Sequence, residues 1–140
     1  MAFAAGSTAV VRTAPGGSAV AQVPAKATVL DSVYTREQAA RGRVRYAMSC
    51  SACHQDMLTG TDTFPALAGD DFVMRWEERK LEDLLRKITT QMPPDGSLAL
   101  PDQEWLDLIA YLLEANRYPA GAEPLAPGPA LHWIEFVKPR

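Results

Sequence analysis

Apolar residues recur at intervals of three and four through the middle of the chain, and this regularity is lost toward both ends. Such spacing places the apolar side chains on one face of an α-helix. A shorter helix through Trp76, capped by Asp70 or Asp71, is predicted upstream of a longer one that begins at Leu81. The three longer predicted helices run from Arg36 to about Ser49, from Leu81 to about Gln91 and from Pro101 to about Asn116.

Capping and helix-breaking residues set the limits of these helices. Thr35 and Gln38 have the Thr-x-x-Gln spacing of a capping box, in which the two side chains satisfy free backbone donors of the first turn. Pro93 removes a backbone donor and disfavours helical dihedrals at Met92, and Pro94 does the same to Pro93. Residues 92–94 are therefore predicted to be extended and rigid.

Gly42 lies in the middle of the first predicted helix, where glycine costs about 1 kcal/mol relative to alanine. A glycine at such a position indicates that something approaches the helix too closely to leave room for a side chain. We therefore expect another backbone to pack against this helix at Gly42.

Three parts of the chain lack a helical pattern of apolar residues: the two ends and the segment 56–69. Residues 1–34 are rich in Ala, Gly, Pro and Ser and predict an extended arm, in which Ala19-Val20-Ala21 resembles a signal-peptide cleavage site that would make 1–21 a leader remnant. Residues 56–69 predict a compact loop. The tail, 120–140, contains an apolar group from Leu131 to Val137 that packs on the domain or on a neighbour. We find no strand hairpin, so the prediction is one all-α domain, 35–119, between an arm and a tail.

Composition and charge narrow the class of protein. Hydrophobic residues make up 47% and charged residues 22% of the 140 residues, as in soluble globular proteins. The longest apolar stretch, Trp105 to Leu113, contains Asp107 and is far shorter than the roughly 20 residues that span a bilayer. The net charge of −3 argues against nucleic acid as a partner. The locally basic group is predicted to be a solvated helix face rather than a docking patch; it comprises Arg36, Arg41, Arg43 and Arg45.

The candidate chemistry lies in Cys50-Ser51-Ala52-Cys53-His54, which contains both cysteines of the chain. The pattern C-x-x-C-H is typical of c-type haem attachment. Two thiols about one helical turn apart can add to the two vinyl groups at one edge of a porphyrin, and the following histidine then lies under the iron. The motif predicts one covalently attached haem c with His54 as an axial ligand.

Three other interpretations compete for these cysteines. A thioredoxin-like redox pair begins a helix in a strand-rich fold, whereas this pair follows a predicted helix in a chain poor in strands. A structural zinc site needs four ligands, and the only other histidine, His132, lies far away in the tail. A disulfide between Cys50 and Cys53 would close a very small ring and contribute little stability.

A haem held in this way needs a sixth ligand. Met92 is favoured because the two prolines that follow hold its turn extended and present its thioether. The competing interpretation is that Met92 only continues the apolar stripe of the preceding helix into the core. Met57 and Met74 are weaker candidates, whereas Met48 lies too near the attachment site to reach the opposite face of the haem. His132 is predicted to be a surface residue of the tail rather than a ligand.

Over about 85 residues, 35–119, these features resemble class I cytochromes c. The resemblance rests on Gly42 and Tyr46, Cys50 to His54, Pro65-Ala66-Leu67-Ala68-Gly69, Met92-Pro93-Pro94 and Leu108-Ile109-Ala110-Tyr111-Leu112. It implies three to five helices around the haem, with the first and last helices crossing where Gly42 and Tyr46 meet Tyr111. It also implies that the Pro65 carbonyl accepts a hydrogen bond from His54, and that Arg75 or Trp76 contacts a haem propionate.

A second, closer resemblance indicates which redox partners the protein has. Phe72 to Trp76, Asp83-Leu84-Leu85 and the Met92 region are similar to the cytochrome domains of bacterial quinoprotein alcohol or sugar dehydrogenases. The resemblance implies a one-electron carrier, not itself an enzyme, between a dehydrogenase donor and an oxidase or another cytochrome. Covalent haem attachment predicts a periplasmic location, because c-type maturation occurs outside the bacterial cytoplasm. Two alternatives stay open: an electron-entry subunit or domain of a dehydrogenase complex, and a haem gas sensor or peroxidase with an open sixth position.

Overall fold

The computed structural model describes residues 26–140, so the predicted leader remnant 1–21 and most of the arm lie outside the described residues. Within that range the chain is mostly helical, with five α-helices, and the all-α prediction is confirmed. None of these helices combines the length and apolarity needed to cross a bilayer. The helices are α1 Arg36–Ser49, α2 Ser51–His54, α3 Asp70–Trp76, α4 Leu81–Gln91 and α5 Asp102–Ala115.

The first helix begins as its capping box predicts. The Gln38 backbone N–H donates to Thr35 Oγ1 at 3.2 Å, and the Thr35 N–H donates to Gln38 Oε1 at 3.3 Å. The same glutamine is fully buried and binds the backbone of Leu125 in both directions, each at 2.7 Å. The capping residue therefore also holds the C-terminal tail, a role that its position in the capping box does not predict.

Helices α1 and α5 pack against each other at Gly42, which confirms the expected close approach of a second backbone. A Cβ atom on Gly42 would lie 1.8 Å from the carbonyl oxygen of Asp107 and 2.9 Å from Cβ of Tyr111. One turn further along, the rings of Tyr46 and Tyr111 lie with their centroids 5.3 Å apart. The crossing implied by the family resemblance is thus present.

Three of the four arginines of α1 are exposed, in agreement with the predicted solvated face, and three of the four contact side chains of α5. Arg41 binds both carboxylate oxygens of Asp107, at 2.7 and 3.0 Å. Arg45 pairs with Glu104, and Arg43 lies over the ring of Tyr111. Asp107 is only 4% exposed, so its charge requires such a partner. These arginines stabilise the α1–α5 contact.

Two predicted helix starts differ from the structure. The N-cap of α3 is Gly69, so the prediction that Asp70 or Asp71 caps it is wrong. Gly69 adopts a positive φ of 89°, which glycine tolerates, and its N–H donates to Asn116 Oδ1. Pro101 is the N-cap of α5, which begins one residue later than predicted.

The end of α4 agrees with the prediction. The helix ends at Gln91, and Met92 has the expected extended conformation. Residues 93–96 then form a turn instead of continuing as an extended segment, because the Gly96 N–H donates to the Pro93 carbonyl at 3.0 Å.

The described part of the arm and the tail meet on the helical core. Two residues of the arm, β1 Ala27–Thr28, pair in parallel with two of the tail, β2 Ile134–Glu135. A 3-10 helix, Pro129–Trp133, precedes β2. The tail packs on the domain through side chains that are buried in the same core as α5, namely Leu125, Leu131, Ile134 and Phe136. The domain limits of 35 and 119 stay a prediction, while the core includes residues from beyond them.

Candidate haem site

The C-x-x-C-H motif lies where α1 passes into α2. Cys50 is the C-cap of α1, and its N–H donates to the Tyr46 carbonyl at 2.9 Å. The Cys50 carbonyl accepts from the N–H of His54 at 3.0 Å, so the motif forms one further helical turn. The Tyr46 hydroxyl donates to the Gln55 carbonyl at 2.7 Å and fixes the end of that turn. Both thiols and the imidazole therefore lie on one helical turn, which hydrogen bonds stabilise at both ends.

The ring of His54 is oriented by a backbone carbonyl. It is 8% exposed, and its Nδ1 lies 2.8 Å from the carbonyl oxygen of Pro65. Because a carbonyl can only accept, Nδ1 carries the proton and the lone pair of the neutral ring lies on Nε2. That tautomer is the one that an axial ligand of iron requires, and such a second hydrogen bond typically orients metal-binding histidines.

A tight loop places the Pro65 carbonyl. The Gly60 N–H donates to the carbonyl of His54 at 3.0 Å, and the Thr61 N–H donates to the Phe64 carbonyl at 2.7 Å. Gly60 has a φ of +65°, and a Cβ there would lie 2.3 Å from the Phe64 carbonyl oxygen. The turn-rich composition of 56–69 predicted a compact loop, but only the folded backbone identifies Gly60 as the residue that makes it close.

The motif borders an apolar cavity of about 350 Å³ that reaches from α1 to α5. Its wall contains one buried side chain of α3, Trp76, and apolar side chains of α4 and α5 such as Leu84 and Leu108. Each residue that the sequence predicted for the site lines this cavity: Cys50, Cys53, His54, Pro65, Arg75, Trp76 and Met92.

The candidates for a sixth ligand differ in their exposure and in whether they line the cavity. Met92 is half-buried and lines the cavity. Met48, Met57 and Met74 are 71%, 78% and 63% exposed and are not among the residues that line it. His132 is exposed in the tail, where its Nδ1 lies 2.8 Å from Glu82. Among these described candidates, Met92 is the one that shares a cavity with His54.

Two cationic side chains, Arg75 and Lys87, line the cavity while remaining exposed, so they lie at its mouth. The sequence analysis missed Lys87. The sequence did contain a signal for it, because Lys87 lies three residues after Leu84 and next to Ile88 and therefore borders the apolar stripe of α4. An apolar cavity with cations at its mouth suits a haem, whose ring is apolar and whose propionates are anionic. The donor set of two thiols, an imidazole and a thioether fits the same group.

The thiols do not resemble a reactive redox pair. Cys50 and Cys53 are free and half-buried, and burial raises the pKa of Cys50 to about 11. A dithiol of the thioredoxin type depends on a lowered pKa and a thiolate at neutral pH. Within residues 26–140, no cluster of three or more His, Cys, Asp or Glu side chains is arranged to hold a metal ion.

A helical fold closed around an apolar cavity, with a C-x-x-C-H motif on its wall, defines a c-type cytochrome domain. The chain belongs to the family described as cytochrome C oxidase, cbb3-type, subunit III, whose model matches residues 37–112, more than half of the chain. Neither the curated proteins nor the solved structures gave a match. Family membership implies covalently bound haem c and a role in electron transfer between redox partners.

Proposed function

We propose that this chain carries single electrons through one covalently bound haem c, with His54 and Met92 as axial ligands. The observation that carries the proposal is that four side chains border one apolar cavity: Cys50, Cys53, His54 and Met92. In this arrangement the thiols attach the group by thioether bonds, and the oriented imidazole and the thioether complete the coordination of iron.

The residues around the ligands have supporting roles in this proposal. Bound haem c supplies a one-electron Fe(III)/Fe(II) couple, whose potential is raised by Met/His ligation. The Pro65 carbonyl accepts the Nδ1 proton of His54, so that Nε2 carries the lone pair of the neutral ring and faces the iron. Arg75 or Trp76 contacts a propionate. The apolar side chains that line the cavity exclude water, and a low local dielectric tunes the potential.

The partners and the location belong to the same proposal. The description of the family names an oxidase subunit, whereas the sequence also resembles the cytochrome domains of quinoprotein dehydrogenases. The family and the resemblance both indicate electron transfer, but they indicate different partners. We propose a periplasmic carrier, or a subunit of a dehydrogenase complex, that accepts electrons from a dehydrogenase. The net charge of −3 favours partners with a basic docking patch, and this attraction weakens with salt. Co-purification from the native host distinguishes a free carrier from a subunit.

Met92→Ala is expected to lower the reduction potential, because the thioether stabilises ferrous iron. The expected decrease is on the order of 0.2 V, a fraction of the roughly 0.8 V range over which axial ligands set haem potentials. The measurement is a redox titration of the haem-loaded protein, made in cells with c-type maturation and followed by its visible spectrum.

Met74→Ala is the matched control for this titration, because Met74 is 63% exposed and does not line the cavity. The control should keep the potential of the unsubstituted protein. An unchanged potential in Met92→Ala would eliminate Met92 as a ligand. Fast and complete binding of carbon monoxide to the unsubstituted ferrous protein would instead favour a gas sensor or peroxidase with an open sixth position.

A further inference from the structure

The C-terminal tail, residues 120–140, lies beyond the family match, which ends at residue 112. Its apolar side chains are nevertheless part of the core. Ile134 is 7% exposed and Phe136 only 1%. Leucines at the start and middle of the tail, Leu125 and Leu131, are each 3% exposed. Such extensive burial in one short segment indicates that the tail has a specific position on the domain.

The tail is hydrogen-bonded to the linker between α3 and α4, residues 77–80. The Phe136 N–H donates to the Arg79 carbonyl at 2.8 Å, and the Glu78 N–H donates to the Phe136 carbonyl at 2.9 Å. Lys80 Nζ lies 2.5 Å from Glu135 Oε2. These contacts fix the backbone directly before Leu81, where α4 begins.

The ring of Phe136 packs directly behind one wall of the haem cavity. Its centroid lies 6.0 Å from that of Trp76, 6.1 Å from that of Phe72 and 6.3 Å from that of Tyr118. Trp76 lines the cavity. The tail therefore touches a side chain that faces the site, although no tail residue lines the cavity itself.

Helix α4 connects the tail to the proposed sixth ligand. The tail holds the start of this helix twice, through Lys80 and through the contact of His132 with Glu82 at 2.8 Å. Leu84 and Ile88 on the same helix line the cavity, and Met92 is its C-cap. A helix of three turns transmits a displacement at its start to its end, because its backbone is hydrogen-bonded throughout.

We propose that the C-terminal tail positions the haem cavity, with Phe136 holding Trp76 and Glu135 holding the start of α4, so that Met92 is kept in place to bind iron. Both are positioning residues: Glu135 acts through α4 on Met92, and Phe136 acts through Trp76 on the cavity that Met92 also lines. This inference rests on the proposed function, since it concerns the strength of the Met92 bond to iron. It assigns a role to a segment outside the part of the chain that the family describes.

The test uses the full-length, haem-loaded protein and imidazole, which competes with a thioether for ferric iron. Phe136→Leu keeps an apolar side chain but removes the ring that contacts Trp76. We expect imidazole to bind this variant about tenfold more tightly, a change equivalent to about 1.4 kcal/mol. The reduction potential should shift downward as Met92 binds more weakly. Glu135→Gln, which removes the charge opposite Lys80, should shift both quantities in the same direction by less.

Leu125→Ala is the matched control, because Leu125 is a buried residue of the same tail whose backbone is held by Gln38 of α1. It should lower the urea midpoint and leave the imidazole affinity and the potential unchanged. The inference is overturned if Phe136→Leu changes neither quantity, or if Leu125→Ala changes them equally. Should Phe136→Leu fail to fold, Glu135→Gln decides in the same way, since Glu135 is partly exposed.

The unsubstituted protein separates this inference from the proposed function. If it lacks a Met92 bond to iron, the proposed function is wrong and this inference fails with it. If it has that bond and the tail variants keep the imidazole affinity of the unsubstituted protein, only the role of the tail is wrong.

Discussion

Simultaneous replacement of Cys50 and Cys53 by alanine is expected to abolish covalent haem attachment completely. The two cysteines are the only ones in the chain, and both line the cavity, so no other thiol can form a thioether. The measurement is haem staining of a denaturing gel, together with the mass of the intact protein made in cells with c-type maturation. The unsubstituted protein should carry one haem per chain, and the double variant none.

Ser51→Ala is the control, because Ser51 lies between the two cysteines on α2 and only donates its hydroxyl to the Ala47 carbonyl at 3.0 Å. This variant should retain covalent haem at the level of the unsubstituted protein. Haem that stays on the doubly substituted chain after denaturation would contradict the attachment at Cys50 and Cys53. Loss of haem from Ser51→Ala would show that folding of α2, not thiol chemistry, limits attachment.

Gly42→Ala is expected to destabilise the protein severely, although alanine is the better helix former. The added Cβ would lie 1.8 Å from the Asp107 carbonyl oxygen, which is backbone and cannot turn aside. Helices α1 and α5 must then separate, and overpacking of this kind costs about 3 kcal/mol. The measurement is the free energy of unfolding of the haem-loaded protein in urea.

Ala40→Gly provides the comparison for intrinsic helix propensity. Ala40 is exposed on the same helix, and its replacement should lower the free energy of unfolding by about 1 kcal/mol. If propensity alone mattered, Gly42→Ala would raise stability by about the same amount. A gain in stability for Gly42→Ala would therefore contradict the close contact of the two helices.

Much of the fold could be predicted because the signals are local. The Thr35–Gln38 capping box gave the start of α1, and the prolines after Met92 gave the end of α4. The glycine in α1 predicted a second backbone, and the structure identifies it as that of α5. Each of these signals acts through steric or hydrogen-bonding effects within a few residues, or through the simple absence of a side chain.

The candidate site was predicted from the C-x-x-C-H motif, from the prolines that follow Met92 and from the resemblance to class I cytochromes c. The residues named from the sequence meet at a single cavity, and their binding roles stay a proposal. Lys87 was missed because a lysine on a helix next to an apolar stripe is usually solvated. Gly60 was not singled out because many glycines in turns have no contact that excludes a Cβ atom, whereas a Cβ on Gly60 would lie 2.3 Å from the Phe64 carbonyl oxygen.

Other features had no usable signal in the sequence. The strands β1 and β2 have two residues each and pair an arm with a tail, so neither has an alternating pattern long enough to detect. The cap of α3 was assigned to an aspartate by propensity, whereas Gly69 takes that position because its backbone is held by Asn116, 47 positions away. Likewise, the partners of the α1 arginines lie on α5 and are set by how the two helices cross.

The sequence by itself determined the helical class and most of the helix ends, and it predicted haem attachment at Cys50, Cys53 and His54. These depend on propensity, capping and residue spacing, which act over one or two helical turns. Only the tertiary structure decided that the tail belongs to the core and that it packs behind Trp76. The contacts responsible join residues far apart in the chain, 87 positions for Gln38 and Leu125 and 55 for Lys80 and Glu135. Such pairs depend on the shape and burial of the whole domain, which no local pattern of residues specifies.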